Sequence, residues 1–224
     1  QTKVPLLIGG NNLEATAMFI LGNKPATVEN LKAAARNIFG DATDELFKLY
    51  GLNTDADVTG QPGNEFGGDC FLDYSTWKWG NMHKLTSGQP VYRYRYCHPR
   101  PDMLLKDKVA GLAGGVQDKT DDTPAAPRAT GAVHSADIEY AMGTLPTNRV
   151  FDWQPEDYVV SDIFSNYYVN FVKTGNPNGL GLVDWPTTNG KSVAPVLQID
   201  VNTFVKEDPN MEKRYELMDK LFWK

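Results

Sequence analysis

The run "KVPLLIGG", Lys3 to Gly10, most constrains the fold. Its apolar residues are continuous rather than alternating and end at a glycine pair. That pattern predicts a strand buried on both faces, as in a parallel sheet. Parallel strands need long crossovers, and helical patterns follow. "ATVENLKAAARNIFG" predicts a helix with Thr27 as N-cap and Gly40 as stop, and "DATDELFKLYG" a second helix ended by Gly51. Residues 52–63 are polar, with Gly60, Pro62 and Gly63, and predict a loop. Apolar spacing from Glu65 to Thr86 suits a helix, and "PVYRYRYCHP" a strand. Residues 99–130, with four prolines and the cluster "DKTDD", predict one long loop.

Beyond it, "SADIEYAMG" predicts a short helix with Ser135 as N-cap. "QPEDYVVSDIFSNYYVNFVKTGNPNG" predicts a long helix with Pro155 near its start and acids in its first turn. "APVLQIDV" predicts a last strand and "DPNMEKRYELMDKLFWK" a helix capped by Asp208 with Pro209 first. The order of elements is α/β. Three strands are few for an open sheet, so the remainder of the sheet is expected outside these residues.

The chain has 224 residues and a formal charge of −6, which disfavours a nucleic-acid partner. The one dense basic run, "YRYRYCHPR", alternates with aromatics and predicts a solvated strand face. No stretch approaches the roughly 20 apolar residues of a membrane helix, and no charged-then-apolar signal peptide opens the chain. Cys70 and Cys97 could pair or stay free; two cysteines make no disulfide framework. His83, His98 and His134 are dispersed, and no metal-ligand or nucleotide motif accompanies them, so neither a metal nor a cofactor is expected.

Two residues are candidates for acid–base chemistry. His134 stands where a loop meets a helix, a place that suits a base held by rigid elements. Glu14 lies just past the first strand, at the end of an α/β sheet where ligands bind. By spacing alone, a structural histidine and a helix-start glutamate are the preferred readings of the two.

Several segments together resemble the type B carboxylesterase and cholinesterase family. "GAVHSADIEYAMG" is similar to its histidine motif, and "VPLLIGGNNLEATAMF" to its strand and acid motif. "YYVNFVKTGNPNG", "DWP", "VLQIDV" and "PVYRYRY" match further segments in the family's order, over nearly the whole chain. Leu13 and Ala15 depart from the Asp and Gly that flank the family's glutamate.

The resemblance implies the C-terminal part of an α/β-hydrolase fold, with a mostly parallel sheet completed by an N-terminal part that is missing here. Residues 1–224 would then be the C-terminal portion of one domain. It implies cleavage of carboxylic esters by a Ser–Glu–His triad, with Glu14 as acid, His134 as base and Asp137 as the acid that supports the histidine from three residues on, a solvated helix residue being the alternative for Asp137. No G-x-S-x-G occurs in the chain, so the serine and the oxyanion hole are expected in the N-terminal half, and this chain alone is expected to be inactive. The implied partners are a small ester and that N-terminal half, with no nucleic acid and no membrane. The implied location is secreted or periplasmic. For Phe66 and Trp77, helix packing is the stronger reading and a substrate wall the weaker. Trp153 and Trp185 are read as structural and Glu139 as a structural or surface acid. The rival class is an inactive α/β-hydrolase-like binding or adhesion module, against which the joint presence of Glu14 and His134 argues.

Overall fold

A computed structural model describes residues 1–111, 115–120 and 129–222. The main sheet has four strands: β1 (Leu6–Asn11), β2 (Val91–Tyr96), β5 (Pro195–Ile199) and β6 (Phe204–Glu207), in that spatial order. β1, β2 and β5 run parallel, and β6 returns antiparallel against β5. "VLQIDV" is therefore followed by one more strand: the chain turns at Asp200–Thr203 and pairs Leu197 with Val205. The stretch read as a single long loop also contains structure. β3 (Lys108–Ala110) and β4 (Val116–Asp118) pair there as a small antiparallel ribbon. Part of that stretch, residues 112–114 and 121–128, lies outside the described residues.

β1 is an edge strand. Only Ile8 and Asn11 in it are buried, whereas every residue of β5 is. The continuous apolar run thus fills a position that is half-covered here, because among the described residues β1 has a partner on one side only.

One face of the sheet carries α1 (Met18–Leu21), α2 (Val28–Phe39), α3 (Thr43–Tyr50), α4 (Asp55–Thr59), α5 (Gln61–Gly68), α6 (Tyr74–Ser87) and α9 (Pro209–Phe222). α2 begins as read: Thr27 Oγ1 accepts from the Asn30 N–H at 3.2 Å. α4 occupies the region expected to be a loop and is closed by a reciprocal Thr54–Asp57 capping box. α5 and α6 are joined by a π-helical turn, Asp69–Asp73, within the segment read as one helix. Leu31, Leu46, Phe66, Tyr215 and Met218 form the core of this layer.

The opposite face carries α7 (Ile138–Ala141) and α8 (Pro155–Thr174). Tyr94 and Tyr96 of β2 pack there on Tyr140, Phe164, Tyr167 and Trp185. α8 begins with Pro155 at its first turn and ends at Gly175, whose φ of 75° is left-handed. α9 is capped by Asp208, which accepts from the Asn210 and Met211 amides.

The alternation of "VYRYRY" is real, but its arginine face is not solvated. Arg93 is buried and faces Glu212, while Arg95 faces Asp73. Arg214 of α9 pairs with Glu65 at 3.0 Å, and Asp69 accepts from the hydroxyls of Tyr50 and Tyr215. The helical layer that includes α6 and α9 covers what a lone strand would have exposed, and the buried cations are tolerated because carboxylates meet them.

Candidate active site

β1 delivers the acid. Past its last residue the Asn12 N–H donates to Tyr96 O at 2.9 Å, and the chain then leaves the sheet. Leu13 joins Val133 in a short parallel bridge, with the Leu13 N–H donating to Ala132 O at 3.0 Å. Asn12 Oδ1 accepts from the Ala132 N–H at 2.7 Å. Asn11 Nδ2 donates to Val133 O at 2.8 Å and to Asp137 Oδ1 at 3.3 Å. Two successive asparagines thus stitch the end of β1 to the histidine loop. Gly131 is needed at this junction, since a Cβ there would stand 2.6 Å from Asn12 Oδ1.

Glu14 and His134 meet as a result. Glu14 is buried, and each of its carboxylate oxygens has a donor. Oε1 accepts from the Asn11 N–H at 2.6 Å, and Oε2 lies 2.5 Å from His134 Nδ1. A carboxylate can only accept, so Nδ1 carries the proton and Nε2 is the nitrogen left to take one. The His134 side chain is 28% exposed, against 3% for Glu14, so the pair has a dry end and an accessible end.

Asp137 binds the assembly from beneath, accepting from Asn11 and, at 3.1 Å, from the Tyr94 hydroxyl. Ser135 does not cap α7. That helix starts at Ile138 with Asp137 in the cap position, and Ser135 has a φ of 65°. The residue expected as cap is instead spent on the turn that presents His134. Glu139 is paired with Arg100 at 2.6 Å.

The aromatic neighbour of His134 is Phe71, edge-on with ring centroids 5.3 Å apart. Phe71 leans in turn on the exposed Phe19. The π-helical turn contains Phe71, and such turns recur at functional sites. Phe66 and Trp77 are not in this group. Phe66 is fully buried against Phe39, Phe47 and Tyr50, and Trp77 donates from Nε1 to Glu212 Oε2 at 2.8 Å. Both are packed in the core, as helix packing requires. Asn11, Asn12 and Phe71 were missed as site residues. The polar pair directly after "LLIGG" was the available signal, since two amides at a strand end need partners.

Asp73 stands close to the acid. The point where a Gly10 Cβ would sit is 2.9 Å from Asp73 Oδ1 and 3.0 Å from Glu14 Oε1. Burial pushes the Asp73 carboxyl up to about 7; Arg95 opposes the rise, and Asp69 and Glu14 add to it. Asp73 also borders a cavity of about 520 Å³ with Arg93, Arg95 and Arg214, and neither Glu14 nor His134 lines that space. Cys70 and Cys97 are free thiols, and burial raises both, Cys97 to about 11. Among the described residues, no group of three or more His, Cys, Asp or Glu could hold a metal ion, and no helix is long and apolar enough to cross a membrane.

A mostly parallel sheet between two helical layers, with an acid after one strand and a histidine on a later loop, defines the class as an α/β-hydrolase. Solved structures agree on the fold. A thermophilic PNB esterase superposes with a TM-score of 0.60 at 20% identity, over 95% of this chain and 38% of its own. An esterase from the anaerobe Clostridium hathewayi gives 0.55 at 17% identity, over 97% and 38%.

The chain belongs to the carboxylesterase family, whose model matches residues 1–223. Carboxylesterase 4A of Bos taurus is 30% identical over 137 residues, 61% of this chain and 20% of that protein. Acylcarnitine hydrolase of Mus musculus is 25% identical over 215 residues, 90% of this chain and 34% of that protein. The chain therefore spans no more than about a third of the length of these curated relatives.

Proposed function

We propose that this chain supplies the acid and the base of a serine carboxylesterase whose nucleophile and oxyanion hole lie in an N-terminal half. The observation that carries the reading is the 2.5 Å contact between His134 Nδ1 and Glu14 Oε2, in which the glutamate is buried and the histidine side chain remains partly exposed. Membership of the carboxylesterase family supports it, and so do a span of 38% of the solved esterases and a β1 edge open to further strands.

In this reading His134 Nε2 takes the serine proton as the hydroxyl oxygen attacks the ester carbonyl. The tetrahedral intermediate collapses with proton transfer from Nε2 to the departing alcohol. Water then repeats the sequence on the acyl-enzyme and releases the acid. Glu14 keeps the imidazole in the Nδ1–H tautomer and stabilises the imidazolium between the two proton transfers. Asp137 holds the loop to β1 through Asn11 and does not meet the reacting atoms. Without the serine and the oxyanion donors, this chain alone has no esterase turnover. Export, to the periplasm or the medium, comes with the family resemblance, and cell fractionation tests it.

A fluorophosphonate probe tests the assignment. In the complete protein the label is expected on a serine outside these 224 residues, and His134→Ala is expected to abolish labelling. A label on a residue of this chain would overturn the reading.

A further inference from the structure

Among the described residues, Ser135 is the one non-glycine residue with positive φ, at 65°, and it directly follows His134. The turn is closed by the Ala136 N–H donating to Val133 O at 2.9 Å. His134 and Ser135 are therefore its two central residues, and the second is in the conformation that normally calls for glycine. Strain of this kind persists only where the surroundings hold it.

The Ser135 carbonyl accepts from the Ile138 N–H at 3.5 Å and, much closer, from Arg100. Arg100 Nη2 donates to Ser135 O at 2.5 Å and to Glu139 Oε2 at 2.6 Å. The side chain is 7% exposed, and its guanidinium lies over the Phe151 ring, 5.1 Å from the centroid. Arg100 follows β2 by four residues, so it fastens the exit of a central strand both to the turn bearing His134 and to α7 beyond it. Glu14 grips the imidazole itself; Arg100 grips the backbone from which the imidazole hangs.

We propose that Arg100 is a positioning residue for His134: by holding the Ser135 carbonyl it keeps the strained turn in place and so aims Nδ1 at Glu14 and Nε2 at the nucleophile. This rests on the catalytic reading of the pair given above. Arg100 touches neither substrate nor the reacting atoms.

The test uses the complete enzyme, this chain together with the half bearing the serine. Arg100→Met is expected to lower kcat by about 100-fold, the scale of a misplaced catalytic group, with KM unchanged within about twofold. Arg100→Lys keeps a cationic donor near Glu139, but on a shorter side chain without the planar group that lies over Phe151, and is expected to fall between. Ser135→Gly takes the positive φ without strain, so adding it to Arg100→Met is expected to return about tenfold in kcat. A purely structural arginine would lower the melting temperature and leave kcat per folded enzyme intact. That result, or no recovery with Ser135→Gly, overturns the proposal.

The far-downfield proton resonance of a carboxylate-bonded imidazole Nδ1–H gives a readout independent of turnover. Loss or broadening of this signal in Arg100→Met supports the proposal, and an unchanged signal overturns it. If the wild-type enzyme has no turnover, the catalytic reading fails, while this resonance still decides the role of Arg100.

Discussion

Asn11 holds Glu14 and the histidine loop at once: its backbone N–H donates to Glu14 Oε1 at 2.6 Å, and its side chain donates to Val133 O next to His134. One residue at the end of β1 therefore sets both members of the pair, which lie 120 residues apart in the chain. Asn11→Ala removes the two side-chain bonds and leaves Val133 O and Asp137 short of a donor. The expected cost is about 2–3 kcal/mol of stability, with a drop in kcat beyond the loss of folded enzyme. Chemical denaturation and active-site titration measure the two effects separately. Unchanged turnover per folded molecule would remove Asn11 from the account of the site.

Glu14→Gln keeps the shape of the acid but can present an amide nitrogen to Nδ1, which permits the wrong tautomer. In the complete enzyme kcat is expected to fall by about 1,000- to 10,000-fold with KM little changed. Steady-state kinetics on a chromogenic ester measures this. A fall of less than tenfold would mean that Glu14 is not the orienting acid.

His98 is clamped between two carboxylates, with Nδ1 3.0 Å from Asp200 Oδ1 and Nε2 2.9 Å from Asp157 Oδ1. Burial disfavours its charge, but the bonds to Asp200 and Asp157 outweigh that and raise its pKa above the ordinary value. The stabilisation is therefore complete below about pH 6.5, the unfolded value, and is lost as pH rises through the folded one. Thermal melts should show wild-type stability declining more steeply than that of His98→Gln as pH rises above about 6.5. Parallel curves for the two proteins would contradict the clamp.

Asp73 follows the same rule with a different start. Its folded pKa, about 7, is above the ordinary carboxyl value of 3.8, mainly because it is buried. Its contribution is favourable below the unfolded value and is lost as pH rises through 7. The stability of Asp73→Asn relative to wild type should therefore rise by about 1–3 kcal/mol between pH 4 and pH values above 7, on top of a pH-independent cost for the lost Arg95 partner. Denaturant titrations at both ends measure the difference, and a difference independent of pH would refute the assignment.

Local chemistry was legible where an element is decided by its own residues. Thr27, Gly51, Pro155, Gly175 and Asp208 start or stop their helices as their side chains and backbone freedom require. Ser135 misled because a serine before a helix is a good cap, whereas its φ is left-handed and its carbonyl is held by Arg100 from 35 residues away. The arginines of β2 misled for a similar reason. Alternation says which residues share a face, but α6 and α9 decide whether that face meets water, and Glu212 and Asp73 come from them and from the adjoining π-helical turn.

Glu14 and His134 were readable as residue types in family-like motifs, yet the sequence carries no distance. Residue order and periodicity determine the longer helices, the three parallel strands and the α/β class, because these depend on neighbours a few positions away. The pairing of acid with histidine, the burial of Arg93 and Phe66, and the strain at Ser135 depend on groups up to about 120 residues distant. Only the packing of β1 and the histidine loop beside β2 brings those groups within hydrogen-bond range, so only the tertiary structure decides them.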